Sequence, residues 1–486
     1  MTGRDLRGTA VTARLAGWIA ETAGGVVPSA VADQVRRAVL DYHVAAIGGA
    51  AESVPAAVRN HVKDTDRSEI ATLAGGGRAS AANAAFVNGT AAHALEIDDG
   101  YTAGGSHPGA ATLPAVFAQA QAHDSSPGTV LTAAAVALEV ACLVAAAGHP
   151  ESRRRGFHNT SNAGVFGAAA GCAVILGLPE PQIASALGLA GSHASGLFEF
   201  LAAGDDSKQI HPGIAARNGL VSADLAARGL TGPHTVLEGV DGYFASRTGG
   251  DWSPGPFQTL RSAGRDWSLL QTYVKLHPCC RHLHGAIDAV LGMRDEWQRE
   301  PGRIDRIEVA TYAIAARHDS TDVASALSAR LSLPYAVAVA VSDGRVGLEQ
   351  FAAARRADPT LLDLAQRVVV RVDDEFDAVY PTSRPARVMV TFDSGRSYRR
   401  TVLDPLGEPS TPISDERLVR KAHDICDGIL TPAGVEHLVE AARSLDVIAL
   451  AALLGSGRSW DAEQRKGSGT VGTNRSEYGT GACGPR

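Results

Sequence analysis

The chain has 486 residues, of which 45% are hydrophobic, 20% are charged and only 5% are aromatic. This length allows two or three domains with a sizeable core. The many small side chains favour closely packed helices over an aromatic-rich sandwich. The net charge of −7, with no long basic run, argues against nucleic acid or an anionic membrane as a partner. An anionic substrate would need a local pocket of positive charge.

The cysteines and the apolar segments bear on where the protein works. The six cysteines are scattered and two of them are adjacent, unlike a secreted disulfide framework, so a cytoplasmic location is expected. The N-terminus lacks a compact apolar region followed by a cleavage site, so no export signal is expected. Residues 130–147 are the most membrane-like stretch, but they contain Glu139 and owe their length to alanine. They predict a buried core helix rather than a membrane span.

Residues 1–260 read as helices joined by Gly/Pro loops and form the first part of a predicted helical domain. Apolar residues at helical spacing predict helices at 31–50, 80–97, 110–122, 130–147, 161–176, 179–189 and 214–228. The composition then changes at residues 245–265, where Gly, Pro and Ser predict a loop or linker.

Residues 265–400 have a pattern typical of a small α+β domain. Alternating apolar and polar residues predict strands at 303–312, 368–372 and 386–392, followed by a turn into residues 396–402. Helical patterns at 415–426 and 432–454 lie in a return segment, residues 401–455. The Gly/Ser-rich tail, residues 456–486, is expected to be disordered.

Four short segments concentrate histidine, lysine and carboxylates beside glycine and proline, a composition typical of loops at clefts. In the first, residues 93–110, a helix carrying Glu96, Asp98 and Asp99 leads through a glycine loop to His107. A carboxylate can orient a histidine and raise its basicity, as a general base requires. The alternative is a solvated acidic helix end followed by a turn.

The second and third segments place a basic side chain just before a predicted helix. His158 precedes a helix whose free N–H groups and positive dipole end would attract a carboxylate. The alternative is a capping segment with an incidental histidine. Lys208, with His211 three residues on, could hold a substrate carboxylate or stabilise negative charge that develops on it. A surface lysine is the alternative.

The fourth segment, residues 275–288, has three histidines, the adjacent Cys279 and Cys280, and Arg281. A metal site is one reading, but adjacent cysteines cannot easily face one ion, and no second CxxC or HxxxH pair accompanies them. We favour a loop that presents histidine and Arg281 to an anion. The sequence has no GxGxxG after a strand, P-loop or GxSxG motif, which disfavours dinucleotide enzymes, NTPases and α/β-hydrolases.

These segments resemble the MmgE/PrpD family, whose members include 2-methylcitrate dehydratase, cis-aconitate decarboxylase and iminodisuccinate epimerase. The resemblance covers about residues 10–455 and includes VNGTAAHALEIDD, SHPGA, GFHNTSNAGVFGAAAG, SKQIHPGIAARNGL, KLHPCCRHLHGAIDA and LPYAVAVAVSDG. It implies a mainly α fold, in which both chain ends form a large all-helical domain and a smaller α+β lid domain is inserted. It also implies a homodimer without metal or organic cofactor, and an active site in the cleft between helical domain and lid.

The resemblance further implies a catalytic set and a substrate-binding set. The catalytic set is His107, His158, Lys208, His284 and Tyr335. The substrate-binding set is Glu96, Asp99, Thr102 and Arg281. Lys208 with His158 would grip carboxylates, and His107 is the leading acid/base candidate.

Two positions depart from the family pattern. The family usually has Asp where this chain has Glu96, and often Thr where it has Gly100, with Thr102 two residues further on. Both changes fall on the substrate-facing loop, so the substrate of a well-known member is not assumed.

The sequence therefore predicts cofactor-independent proton chemistry on a small polycarboxylate. Cations must stabilise the charge that builds up when a proton next to a carboxylate is removed, and a base must take that proton. Loss of a hydroxyl would define a dehydratase, loss of CO₂ a decarboxylase, and return of the proton to the other face an epimerase. Dehydration of a citrate-like hydroxy acid is placed first, as the commoner activity of the family. Decarboxylation, epimerisation and a non-catalytic carboxylate-binding protein are the alternatives.

Overall fold

The computed structural model describes residues 10–203, 205–258, 260, 266–297, 300 and 302–456. Mainly helical structure precedes residue 260. Its helices are α1 Val11–Ala23, α2 Ser29–Gly49, α3 Ser53–Thr65, α4 Ala81–His93, α5 Pro108–Ala122, α6 Pro127–Gly148, α7 Glu151–Arg154, α8 Asn159–Ile175, α9 Glu180–Ser192, α10 Phe200–Ala203, α11 Ser207–Ala227, α12 Tyr243–Thr248 and α13 Gly255–Gln258.

Both ends of the described chain contribute to one hydrophobic core. The returning helices are α21 Asp415–Cys426, α22 Pro432–Ser444 and α23 Val447–Gly455. Their buried residues, among them Leu418, Leu438 and Leu450, belong to the same cluster as those of α1, α2, α5 and α6. Lys421 of α21 adds a buried polar link, because its Nζ donates to Asp41 at 2.5 Å and to the carbonyl of Ile97 at 2.7 Å.

Helix α6 is long and apolar enough to cross a membrane, yet most of it lies buried in the protein against α8. Its Glu139 is buried too, and one carboxylate oxygen accepts the backbone N–H of Leu269 at 2.9 Å. The prediction of a core helix here is confirmed.

Glycines allow the core helices to approach closely. Gly213 of α11 faces α4 so tightly that a Cβ there would lie 2.2 Å from the carbonyl oxygen of Phe86. Such contacts explain why a chain rich in small residues packs as helices.

A second core contains residues between Cys279 and Val402. Its strands are β5 Ile304–Thr311, β6 Val368–Val372, β7 Ala386–Phe392 and β8 Ser397–Val402. Its helices are α14 Arg281–Trp297, α15 Ala313–Ala316, α16 Ala326–Arg330, α17 Leu333–Asp343, α18 Ala353–Arg356, α19 Pro359–Gln366 and α20 Asp374–Val379. The sheet order is β6-β5-β7-β8, with β5 and β6 parallel and the other pairs antiparallel.

The sheet is amphipathic. Alternate residues of β7, from Ala386 to Phe392, are buried, and α14 packs against β7 and β8. The predicted strands are thus confirmed, and residues 396–402 supply β8. Whether this unit moves as a lid stays a prediction.

The structure corrects several details of the sequence prediction. The helix expected at 80–97 ends at His93, because Glu96 adopts a left-handed conformation with φ of 56°. The helix expected at 432–454 is two helices, broken where Leu445 has φ of 55°. Lys208 and His211 lie inside α11 rather than before it.

The helical unit is not purely helical. It also contains short antiparallel pairs, β1 Ala71–Thr72 with β2 Arg78–Ala79, and β3 Gly100–Tyr101 with β4 Thr272–Tyr273. The β3–β4 pair joins the loop after α4 to the segment that leads into α14. The predicted tail from residue 457 and part of the predicted linker lie outside the described residues.

Candidate active site

Three core helices begin close to one another. His107 caps α5, His158 caps α8, and Lys208 is the second residue of α11. The ring of His93, the last residue of α4, has its centroid 4.9 Å from that of His107 and 6.0 Å from that of His158. Helix N-termini carry free N–H groups and partial positive charge, so this arrangement favours an anion.

Glu96 lies between two lysines. One carboxylate oxygen accepts a hydrogen bond from Lys208, and the other lies 3.5 Å from the Nζ of Lys275. All three side chains are buried. Burial favours the neutral acid, but the two lysines outweigh it and hold the pKa of Glu96 well below its usual range. Burial likewise opposes the charge on Lys275, yet Glu96 and Asp98 raise its pKa.

Asp98 joins two histidines. One oxygen of its carboxylate lies 2.7 Å from His93 Nδ1 and 3.4 Å from His107 Nδ1. The Nδ1 of His107 is also 2.6 Å from the carbonyl oxygen of Asp99, which can only accept, so Nδ1 carries the proton. Burial lowers the pKa of His107 to about 3, although Asp98 opposes this shift. His107 is therefore a neutral imidazole with its lone pair on Nε2.

The carboxyl group of Asp99 faces the backbone at the start of α5. Both of its oxygens lie 3.0 Å from the backbone N of Gly109, in the first turn of α5. Burial and the neighbouring Asp98 raise its pKa well above the usual range. Asp99 thus holds the start of α5 with its side chain and orients His107 with its carbonyl group.

His158 forms one wall of the site. Its Nδ1 lies 3.0 Å from Nδ1 of His211, and the rings of Phe198 and Phe200 pack on it at 5.4 and 5.3 Å. Burial holds the pKa of His158 well below its usual value and lowers that of His211 to about 4. Both rings are neutral near pH 7.

Arg281 and Thr102 meet at Glu408 rather than at the lysines. Thr102 Oγ1 donates to Glu408 at 3.3 Å. The five N–H donors of Arg281 are directed at Glu408 (twice), His284 Nδ1 and the carbonyls of Pro405 and Leu406. All five donors of Arg281 have partners within the protein in this structure, and its role in substrate binding stays a prediction.

His284 and Tyr335 also have other partners. His284 Nδ1 accepts from Arg281, which leaves Nε2 as the donor, 3.4 Å from the carbonyl of Cys279. The Tyr335 hydroxyl donates to the carbonyl of Gln350 at 2.6 Å, and its buried ring belongs to the second core. The structure does not bring Tyr335 to the lysines. Its predicted catalytic role lacks support there, because the LPYAVA segment builds the core helix α17.

Sequence reasoning missed Lys275, which follows β4 and begins the fourth segment. It also missed Arg384, a buried guanidinium 5.6 Å from the ring of Tyr273, whose Nε has no hydrogen-bond partner among the described residues. Lys275 stood next to residues that were singled out, so proximity was an available signal. Arg384 lies in a loop before β7, and nothing in its neighbours indicates burial.

The unusual Gly100 has a structural explanation. A Cβ at this position would lie 2.2 Å from Tyr273, whose ring fills the space beside β3. The other departure, Glu96, supplies the longer acid that reaches both lysines.

Two groups of side chains in the described residues have spacings that suit a metal ion. They are His93 with Asp98 and His107, and Cys280 with His282 and His318. In the first group, His93 is already hydrogen-bonded to Asp98 at 2.7 Å and His107 to the carbonyl of Asp99 at 2.6 Å. The second lies at the start of α14, where sequence reasoning considered only adjacent cysteines and the motif spacing.

The fold and site together define a mainly helical protein with a buried site of lysines, histidines and helix N-termini, suited to a small polyanion. The chain belongs to the MmgE/PrpD family, since the model of the MmgE/PrpD N-terminal domain matches residues 13–254 and that of the C-terminal domain matches residues 277–447. It is an enzyme of this family, a lyase, as the sequence indicated.

Several similar proteins are cis-aconitate decarboxylases. The enzyme of Aspergillus terreus (strain NIH 2624 / FGSC A1156) is 26% identical over 471 residues, covering 90% of this chain and 93% of that protein. The Homo sapiens enzyme is 28% identical over 379 residues, 75% of this chain and 76% of that protein. The Mus musculus enzyme is 27% identical over 381 residues, 75% of each.

Proposed function

We propose that this chain is a carboxy-lyase that releases CO₂ from cis-aconitate or a closely related unsaturated tricarboxylate. The observation that carries the proposal is the pair of buried lysines, Lys208 and Lys275, which share Glu96 beside the neutral His107. The decarboxylase names of the relatives favour this branch over the dehydration placed first from sequence.

The chemistry needs cations around a delocalised negative charge. Breaking the bond from the methylene carbon of cis-aconitate to its carboxylate releases CO₂ and leaves an electron pair. That pair shifts through the double bond to the carbon next to another carboxylate, and one proton added there completes the reaction. Positive groups fixed beside that carboxylate stabilise the transition state more than the substrate. Lys208 and Lys275 have this role in the proposal.

The net charge of the site suits a polyanion. Glu96 offsets one of the two lysines, so a substrate carboxylate finds a partly neutralised pair and must compete with Glu96. Arg384 adds a further buried cation. Burial lowers the pKa of His282 most, and the charges of Arg384 and Lys275 both lower it further, so both cations act on the same histidine. A tricarboxylate would therefore meet three cations, Lys208, Lys275 and Arg384, and two acids, Glu96 and Asp98.

His107 handles the proton in this account. It is neutral in the free enzyme, but a bound polyanion favours the imidazolium form and raises its pKa. The charged His107, with its Nδ1 proton directed to Asp99, then returns a proton from Nε2 to the carbon that has gained the electron pair. Asp98, between His93 and His107, stabilises this cation.

The test is to incubate the purified chain with cis-aconitate, citrate, 2-methylcitrate and hydroxylated or aminated succinates, and to measure CO₂ and organic products. We expect CO₂ from cis-aconitate. The Lys275→Met variant should lose about 100-fold or more in kcat/KM, the effect of removing a preorganised charge from the transition state. Lys63→Met is the matched control, because Lys63 is exposed on α3, and it should keep wild-type activity.

Other outcomes would overturn the proposal. Water loss from citrate or 2-methylcitrate without CO₂ would make the chain a dehydratase, and proton exchange without net loss would make it an epimerase. Binding of tricarboxylates without turnover would indicate a non-catalytic binding protein. Circular dichroism of each variant separates lost chemistry from lost folding.

Homodimer formation and a cytoplasmic location remain predictions from the sequence and its family. Light scattering on the purified chain measures the first directly.

A further inference from the structure

We propose that Cys280, His282 and His318 bind one divalent transition-metal ion of the zinc class, beside Lys208. Cys280 directly precedes α14, His282 is the second residue of that helix, and His318 follows α15. Their ligand atoms all lie within 4.8 Å of one another, and all three residues are partly exposed, so an ion can reach them. The proposal is independent of the decarboxylase proposal, because metal binding is measured without substrate.

The distances are close to those of a zinc site. Bond lengths of about 2.3 Å to sulfur and about 2.0–2.1 Å to nitrogen place tetrahedral ligand atoms about 3.5 Å apart. The Sγ of Cys280 and the Nε2 of His318 are already 3.8 Å apart. The rings of His282 and His318 lie nearly parallel, with centroids 5.6 Å apart, so a small side-chain movement would bring the third ligand in.

Surrounding hydrogen bonds hold the rings as metal-binding histidines require. His318 Nδ1 lies 2.9 Å from the carbonyl oxygen of Leu331, which can only accept. In the neutral ring Nδ1 therefore carries the proton, which leaves the lone pair of Nε2 facing Cys280. His282 Nδ1 lies 2.6 Å from the Tyr312 hydroxyl, which fixes its ring. Such partners orient the ligands in known metal sites and set the tautomer.

The charge around the group indicates what else the ion would bind. One thiolate and two neutral imidazoles leave a divalent ion with one positive charge, and Lys208 is near enough to act on both Cys280 and His318. A site with three protein ligands keeps a fourth position open. The neighbouring cation favours an anion there, such as chloride, hydroxide or a carboxylate.

The test titrates Co²⁺ into the full chain after chelator treatment and dialysis. We expect one equivalent to bind, with the thiolate-to-cobalt charge-transfer band in the near ultraviolet and the visible bands of a tetrahedral ion, and Zn²⁺ should abolish both. Cys280→Ser should remove the charge-transfer band. Both Cys280→Ser and His318→Gln should weaken binding by more than about 10-fold, the least that loss of even an outer partner costs.

The matched control is Cys279→Ala, which removes the adjacent thiol in the second core and should keep the spectrum and stoichiometry. Absence of Co²⁺ binding at micromolar concentrations would overturn the proposal, and so would a wild-type spectrum without a thiolate band. Binding that Asp98→Asn abolishes but Cys280→Ser leaves intact would overturn it too, by assigning the ion to the His93 group. If Cys280→Ser does not fold, the Co²⁺ affinity of His318→Gln tests the proposal instead.

Discussion

The protonation state and tautomer of His107 are set by the groups around it. Burial lowers its pKa to about 3, and hydrogen bonding to the Asp99 carbonyl fixes which nitrogen carries the proton. A neutral histidine in the free enzyme cannot donate a proton to carbon, so an anionic ligand must first raise its pKa.

Binding of propane-1,2,3-tricarboxylate, a saturated analogue, is therefore expected to take up protons at pH 8, where the ligand is ionised. The sign follows from His107, which is neutral when free and gains a proton as its pKa rises in the complex. Calorimetry in two buffers of different ionisation enthalpy measures the uptake. His107→Gln should reduce it, and proton release, or equal uptake by that variant, would contradict the account.

The sequence indicated several site residues but not their partners. His107, His158, Lys208 and Glu96 stood out as charged or titratable groups beside glycine and proline, and the structure brings them together. Lys275 did not stand out in the sequence, because its burial depends on a contact with Glu96 across 179 positions of the chain. No local pattern encodes such a contact.

Arg281 illustrates what the sequence leaves open about a residue that it does single out. Its position among histidines predicted anion binding, but whether a guanidinium has free donors depends on the carbonyls and the acid that the fold places around it. The sequence shows the same arginine whether its donors are free or occupied, so composition could not decide between these two states.

At the scale of elements, the helix starts that form the site depend on a close crossing of α4 and α11. Gly213 lies at this crossing, five residues after Lys208, and the carbonyl of Phe86 occupies the space that a Cβ would need.

Gly213→Ala is expected to lower the free energy of unfolding by about 1–3 kcal/mol, because the added methyl group overpacks this crossing. Chemical denaturation measures the loss. The control is Gly434→Ala in the first turn of α22, where the nearest atoms lie at an ordinary 3.4 Å. That variant should be neutral or gain up to about 1 kcal/mol. Equal stability of both variants would show that the crossing is not tight.

Helix existence was predictable and helix ends were less so. Apolar periodicity indicated α2, α5, α6 and α8, whereas the ends near Glu96 and Leu445 are set by left-handed backbone at residues that are not glycine. Non-glycine residues rarely adopt that conformation, so only tertiary contacts can impose it.

At the scale of the molecule, histidines that are buried or largely buried make stability depend on pH. Seven of them in the described residues have a lowered pKa, caused chiefly by burial: His43, His107, His149, His158, His211, His282 and His284. Among the carboxylic acids and histidines in that part of the chain, three oppose them through raised pKa values, namely Asp41, Asp99 and His318.

The free energy of unfolding should therefore fall as pH decreases from about 6.5 to about 4. The unfolded histidines bind protons in this window, whereas the folded ones, with pKa values near 4 for His43 and near 3 for His107, do not. One fully buried group shifted this far contributes up to about 3 kcal/mol. Denaturant titrations at several pH values measure the slope, and stability that is flat or rises on acidification would contradict the burial of these rings.

The large-scale architecture was accessible from sequence because it follows from periodicity and family resemblance. The change from helical to alternating patterns indicated a second unit, and in the structure its core begins at Cys279, while Trp267, Leu269 and Val274 belong to the first core. The division into a helical domain and a lid stays a prediction, since closure is a property of motion that neither periodicity nor a single conformation supplies.

The central claim is that this site releases CO₂ and returns one solvent proton to carbon. The most direct measurement is the reaction of the wild-type chain with cis-aconitate in D₂O, followed by NMR and mass spectrometry. The account predicts CO₂ and a dicarboxylate that carries a single deuterium on one methylene carbon. A deuterated hydroxy acid formed by addition of water, or deuterium in recovered cis-aconitate without CO₂, would contradict it.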